Sequence, residues 1–352
     1  MTEGATQQPP TVTGFAAKCA IAALHKRNVA TQPLLHRAGL SENAFDNPRH
    51  RVSAVGQVKF LEYAAEAMDD TAFGLHLAEQ TNPREAGLLF YVVSAAKNFG
   101  EAWALFARYC RIVNESVRLK ISRQPEGVFV EISFVGIPRH RATQITEFQI
   151  AVVLRVLREI TGRGVRPTRV ALAHVRKADL REFERSYGCR VEFGAPSDQL
   201  EFSNETFGLP LITEDPNLLE TLRPFCDEAA RARQTAVGSI CAAVENEVQR
   251  LLPHGRANTE TVAKVLALSV RTLSRRLSGE GTTFAAVVDE LRRSLALEYL
   301  KEPGFTLSQI AWLLGYESPT SFNHAFKRWT GRSPSAARNE KRPPEPALAR
   351  LR

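Results

Sequence analysis

A chain of 352 residues with 44% hydrophobic and 24% charged residues has the balance of a globular protein, and its length calls for two to three domains because single cores stop growing at roughly 250–300 residues. That excludes wholesale disorder, and the longest apolar runs, such as residues 87–96, fall far short of the roughly 20 residues that span a bilayer; with no basic-then-apolar leader either, a cytoplasmic protein with no membrane partner is expected. The net charge of +8 is uneven: residues 241–352 hold 17 Lys and Arg against 11 Asp and Glu, as a phosphate-facing surface requires, although a merely solvated basic face would look the same.

Residues 1–13 read as a disordered tail. Apolar residues at three- and four-residue spacing predict helices over 14–27, 53–68, 85–98 and 100–113, the last around Trp103, Phe106 and Tyr109. The period then becomes two. Val117, Leu119 and Ile121 alternate with polar residues, as do Val128, Val130, Ile132 and Phe134, and Pro125-Glu126-Gly127 supplies the turn of a β-hairpin. A helix is expected over 142–160, a strand over 169–174, a helix over 179–187, a second strand pair over 190–193 and 199–203, and a helix over 215–234. Residues 14–234 therefore form an α+β domain, followed by a linker over 235–241, an all-helical domain over 242–340 and a disordered tail over 341–352.

The helical domain holds a duplicated pattern. Asn258, Thr259 or Glu260 can cap a helix with Val262, Val265 and Leu266 on one face, and Ala267-Leu268 makes the turn. Ser269 caps the next helix, whose Val270, Leu273 and Leu277 are expected to be buried. Its other face carries Arg271, Ser274, Arg275 and Ser278, flanked by Thr272 and Arg276, side chains that read guanine edges or bind phosphates. From Thr282 or Thr283 to Lys301 runs one long amphipathic helix, stopped by Pro303-Gly304. Then the pattern recurs. Thr306 caps a helix with Leu307, Ile310 and Leu314, Gly315 takes the turn, and Ser318 with Pro319 opens a second recognition helix. That helix buries Phe322, Phe326 and Trp329, and presents Thr320, Ser321, Asn323 and His324, with Lys327 and Arg328 toward its end. The connecting helix, about 18 residues and ~27 Å long, is of the right order to set both recognition helices into successive major grooves, ~34 Å apart.

The series Ile310-Ala311-Trp312-Leu313-Leu314-Gly315-Tyr316-Glu317-Ser318, Phe322, Ala325-Phe326-Lys327-Arg328-Trp329-Thr330-Gly331, Ser333-Pro334 and Arg338 resembles the signature of the AraC/XylS family of bacterial transcription regulators. The resemblance covers about residues 245–338. It implies double-stranded DNA as partner, with base-reading positions at Arg271, Ser274 and Arg275 and at Thr320, Ser321, Asn323 and His324. Two departures stand out: His324 where arginine is common, and Ala337 where an aromatic often precedes Arg338. Tyr187-Gly188-Cys189, Phe193-Gly194-Ala195-Pro196, Leu200-Glu201-Phe202, Leu209-Pro210-Leu211 and Asp215-Pro216-Asn217-Leu218 resemble the arabinose-binding-type domain of regulators similar to the ornithine-utilisation group. That likeness implies a domain that senses an unidentified small-molecule effector or mediates homodimerisation.

The combined expectation is an α+β N-terminal effector or dimerisation domain plus an all-α C-terminal domain of two helix-turn-helix units joined by a linker helix. It describes an effector-controlled, DNA-binding activator that works with RNA polymerase. Phe90, Tyr91, Trp103 and Phe106 are candidates for the effector pocket, core packing being the alternative. Arg84, Lys97, Arg108, Arg111, Arg118 and Lys120 leave an acidic effector open. No enzyme is expected. Cys19, Cys110, Cys189, Cys226 and Cys241 form no zinc or redox pattern, His76 and Glu79 lack the second histidine of a metal motif, and Gly162-Arg163-Gly164 precedes a strand where a nucleotide loop would precede a helix. No cofactor or metal follows. An enzyme with an appended DNA-binding module and a ligand-free oligomerisation domain remain as alternatives.

Overall fold

A computed structural model describes residues 9–45, 50–233 and 239–339. They divide into two compact units, the first through His174 and over Asp179–Ala243, the second from Val244 onward with Val175–Ala178. The tail expected over 341–352 and most of the linker expected over 235–241 lie outside the described residues. Among those residues no helix is long and apolar enough to cross a membrane.

The first unit begins earlier than expected. β1 (Thr11–Val12) pairs antiparallel with β2 (Val52–Ser53), which corrects the end of the tail expected over residues 1–13; residues 1–8 lie outside the described residues. Val12 is buried, and the Thr11 N–H and hydroxyl both donate to Glu115 Oε2 at 2.9 Å. The helices that follow are α1 (Phe15–Lys26), α2 (Gln32–Ala38), α3 (Ala54–Met68), α4 (Phe73–Gln80), α5 (Leu88–Ser94) and α6 (Phe99–Tyr109). The single helix expected over 85–98 is interrupted at Gly87, whose φ of 68° and ψ of −135° lie outside the helical region and leave a short 3₁₀ turn, Pro83–Ala86, ahead of α5.

β3 (Val117–Gln124) and β4 (Gly127–Phe134) form the expected hairpin, with Gln124 opposite Gly127. Along β4, Val128, Val130, Ile132 and Phe134 all face the core, as period-two alternation dictates. After α7 (Thr143–Thr161) come β5 (Arg169–Leu172), α8 (Leu180–Tyr187), β6 (Val191–Phe193), β7 (Asp198–Phe202), α9 (Asn204–Phe207) and α10 (Pro216–Arg231). The sheet order is β3-β4-β7-β5-β6. The pairing expected between residues 190–193 and 199–203 is therefore corrected. β6 pairs parallel with β5 across the α8 crossover, and β7 inserts antiparallel between β4 and β5, because a parallel partner must be reached through a helix rather than a turn.

Helix α7 organises this unit. Gly74 of α4 donates its N–H to Gln144 Oε1 at 2.7 Å, and a Cβ at Gly74 would lie 2.1 Å from the Gln144 carbonyl, so only glycine lets the two backbones approach. Arg155 of α7 donates to the Ala78 and Thr81 carbonyls at the end of α4. Arg158 donates to the Ser186 and Tyr187 carbonyls at the end of α8, at 2.8 and 2.6 Å. Two cations thereby satisfy helix C-termini that would otherwise leave carbonyls unpaired.

His76 is half-buried, and its Nδ1 meets Asp70 at 2.8 Å while its Nε2 meets Glu182 at 3.0 Å. Burial opposes charge on the ring, but the hydrogen bonds to Asp70 and Glu182 outweigh it and raise the pKa above 6.5. A raised folded-state pKa stabilises fully below the unfolded value and loses that contribution as pH climbs through the folded one. The Tm difference between wild type and His76→Gln is therefore expected to be larger at pH 5.5 than at pH 8.5. An equal difference at both values would refute the charged bridge.

In the second unit, α11 (Ile240–Leu251) spans the division at Val244. It is followed by α12 (Thr259–Val265), α13 (Val270–Gly279), α14 (Phe284–Tyr299), α15 (Leu307–Leu313), α16 (Pro319–Thr330) and α17 (Pro334–Asn339). Each of the five helices α12 to α16 starts from a capping side chain. Asn258, Ser269, Thr283, Thr306 and Ser318 accept the N–H of Thr261, Thr272, Ala286, Gln309 and Ser321 respectively, at 2.8 to 3.2 Å. Gln309 reaches back to the Thr306 N–H at 2.9 Å, closing a capping box. The two cores follow from the apolar spacing: Val262, Ala263, Leu273 and Leu277 are buried in the first helical pair, and Ile310, Leu314, Phe322 and Phe326 in the second. Val265 and Val270 depart from it, being 46% and 40% exposed. Each sits at a helix end, beyond the reach of the short partner helix.

Candidate nucleic-acid interface and effector cavity

The two helices expected to face DNA are α13 and α16. On α13, Arg271, Ser274 and Arg275 are exposed while Leu273 and Leu277 hold the opposite face. On α16, Thr320, Ser321, Asn323, His324, Lys327 and Arg328 are exposed while Phe322, Ala325 and Phe326 are buried. Trp329 is half-buried and stacks near Tyr316 with centroids 6.4 Å apart. Each helix thus offers solvent a polar and basic face, the arrangement that base edges and phosphates require.

The exposed groups are not equivalent. Ser269 with Thr272, and Ser318 with Ser321, share hydroxyl hydrogen bonds of 2.9 and 3.0 Å on top of their main-chain caps, so these four hydroxyls are engaged in fixing the helix starts. Arg328 donates to Asp289 of α14 at 2.9 Å, an exposed pair worth at most about 1 kcal/mol. Arg271, Arg275 and Lys327 have no ion pair among the described residues. With the flanking Arg276, exposed and likewise without an ion pair among the described residues, they are the unspent positive charge of the two helices.

The connecting helix is anchored to the second helical pair. Arg292 donates its Nε–H to the Leu314 carbonyl at 3.0 Å and lies 4.7 Å from the Tyr316 ring centroid. Gly315, at φ +72°, leaves no room for a side chain, since a Cβ would sit 2.6 Å from the Leu252 carbonyl. The sixteen residues of α14 span ~24 Å.

Within the first unit, two adjoining cavities of about 80 and 110 Å³ lie among α5, α6, α7 and the β3-β4 face. Three of the four aromatic residues expected there, Phe90, Trp103 and Phe106, line the smaller one. Tyr91 does not. It is 46% exposed and turns outward, edge-on to Phe90 at 5.4 Å, because adjacent residues of a helix diverge by about 100°. The cations considered for an acidic effector are also elsewhere: Arg84 pairs with Glu159, Arg108 with Asp227, and none of Arg84, Lys97, Arg108, Arg111, Arg118 and Lys120 lines either cavity. Sequence reading missed Gln57, Asn114 and Gln149, which line the larger cavity. Their positions on three separate elements leave no periodic signal.

Comparison with known proteins finds two separate family matches. A family described as the arabinose-binding domain of AraC transcription regulator, N-terminal, matches residues 29–211, and a helix-turn-helix domain matches residues 262–340. The chain is 28% identical over 312 residues to the ornithine utilization regulator of Pseudomonas aeruginosa, covering 87% of this chain and 90% of that one. It is 30% identical over 291 residues to the HTH-type transcriptional regulator VirS of Mycobacterium tuberculosis, covering 80% and 83%. The solved structure of the transcriptional regulator CdpR from Pseudomonas aeruginosa aligns over 92% of this chain and 98% of its own, at 21% identity and a TM-score of 0.46.

Proposed function

This chain belongs to the AraC family of transcription regulators, and from that premise we propose that it is an effector-controlled activator whose helices α13 and α16 read two segments of one DNA site. It carries a helix-turn-helix DNA-binding domain, so what needs argument is which side chains read sequence and what controls them. The observation that supports the assignment is the pair of exposed polar faces, each backed by its own apolar core and joined through α14.

Arg271 and Arg275 suit guanine O6 and N7, Asn323 suits adenine N6 and N7, and His324, Ser274 and Thr320 suit single hydrogen bonds to base edges. Lys327 and Arg328, nearer the end of α16, suit phosphates, as do the helix starts at Ser269 and Ser318. Activation is proposed to run through RNA polymerase. Trp312 on α15 is 59% exposed, a large aromatic left to solvent in the DNA-binding unit, which favours a protein contact there. Effector binding in the cavities of the first unit is proposed to shift the population of active regulator, including its homodimer.

Gel shift with the DNA upstream of its own gene tests the assignment. Affinity is expected to fall steeply and log-linearly between about 50 and 200 mM salt while still exceeding that for competitor DNA. Equal affinity for both DNAs at every salt concentration would refute it.

A further inference from the structure

The two cavities differ in a way that specifies their occupant. The smaller, lined by Phe90, Trp103, Val156 and Leu157 among others, has no polar side chain in its wall other than the Trp103 indole. That indole N–H is buried without a hydrogen-bond partner. In the larger, the polar side chains are Thr13, Gln57, Asn114 and Gln149, and no charged side chain lines either cavity. Phe106 and Val153 belong to both walls, so the compartments adjoin.

The polar side chains in the larger compartment have spare donors. Gln57 is 4% exposed, and its carbonyl accepts the Ala17 N–H at 3.3 Å. Its NH₂ has no partner among the described residues. Asn114 is also buried; its Oδ1 accepts from the Ser116 N–H and hydroxyl at 2.9 and 2.6 Å, leaving its NH₂ unused. Unpaired amide donors on a cavity wall can be satisfied by an acceptor that enters the cavity. The donors are neutral, no charged side chain in either wall compensates a carboxylate or an ammonium group, and the smaller wall has no partners for a ring of hydroxyls.

Resting on the reading of these cavities as the effector site, we propose that the ligand is an uncharged, mainly apolar molecule with a carbonyl-type acceptor oxygen. The oxygen sits at Gln57 and Asn114, and the apolar end passes Phe106 and Val153 toward Trp103. An apolar cavity of roughly 150 Å³ holds a benzene-sized body, so the two compartments together accept roughly eight to ten heavy atoms. A free amino acid or a sugar does not fit this chemistry.

The test uses the full chain with 2-octanone, octane, octanoate, L-ornithine and L-arabinose at neutral pH, read by calorimetry and Tm. At about 100-fold excess over its Kd, 2-octanone is expected to raise the Tm of the first unit by about 5–10 °C. Octane is expected to bind more weakly and the three charged or hydroxylated probes not to bind. Val153→Phe, which fills the shared wall, should abolish the shift. Gln57→Leu should cut 2-octanone affinity about tenfold and leave octane unchanged, a discrimination that a mere folding defect would not produce. Larger shifts with octanoate, L-ornithine or L-arabinose, or no shift with any probe, overturn the ligand class. A charged probe that also changes operator affinity would overturn it while leaving effector control intact. Binding of 2-octanone with unchanged operator affinity would uphold the ligand class and count against effector control.

Discussion

Arg271→Ala and Asn323→Ala are each expected to weaken binding to the operator by about 10- to 100-fold, corresponding to the ~1–3 kcal/mol carried by a bidentate base contact. Both side chains are exposed, on helices whose opposite faces are packed, so truncation is expected to leave the unit folded and to report on the proposed DNA contact alone. The two losses should nearly add, because the residues lie on separate helices with no shared partner. Each variant should also bind its preferred site and a site altered at the contacted base with more nearly equal affinity. Lys327→Ala should behave differently, weakening all sequences alike and reducing the salt slope by about one. Titrations of the three variants against wild-type and singly altered operators distinguish these outcomes. If Arg271→Ala and Asn323→Ala lost affinity uniformly, both would be phosphate contacts and base reading would have to reside elsewhere.

Phe326→Ala is expected to destabilise the second unit by about 3–5 kcal/mol, the usual cost of emptying a buried phenylalanine site. Phe326 is fully buried, with its ring 5.8 Å from that of Phe322. For a unit of this size such a loss lowers Tm by about 15 °C or more and consumes much of a typical domain's stability. Calorimetry of the full chain should show the transition of the second unit moving down while that of the first stays in place, with operator binding lost at 37 °C. Trp312→Ala makes the control, since its exposed ring should change stability by no more than about 0.5 kcal/mol. An unchanged transition in Phe326→Ala would mean that the aromatic stripe is not the core of the second helical pair.

The second unit was the more legible from sequence, for a physical reason. Its helices are short, and each must satisfy its own N-terminal N–H groups with a local side chain, so Ser269, Thr306 and Ser318 announce helix starts without knowledge of tertiary contacts. Val270 keeps the apolar spacing yet is 40% exposed, as the first residue of its helix. In the first unit the β3-β4 hairpin was readable because its register is set by a two-residue turn. The β5-β6 pairing is not, since it depends on the α8 crossover, and α2, seven residues closed by Gly39, is too short to show a clear period. The candidate effector cavity is half legible: clustered aromatics point to Phe90, Trp103 and Phe106, whereas Gln57, Asn114 and Gln149 become neighbours only when α3, the segment before β3, and α7 pack together.

Hydroxyl-radical footprinting of the full chain on its own operator bears most directly on the pairing of α13 and α16. Two protected windows on one face of the duplex, centred roughly 10 base pairs apart, are expected, with Arg271→Ala clearing one and Asn323→Ala the other. A single window, or two windows on opposite faces, would contradict the proposal that one chain reads two successive major grooves.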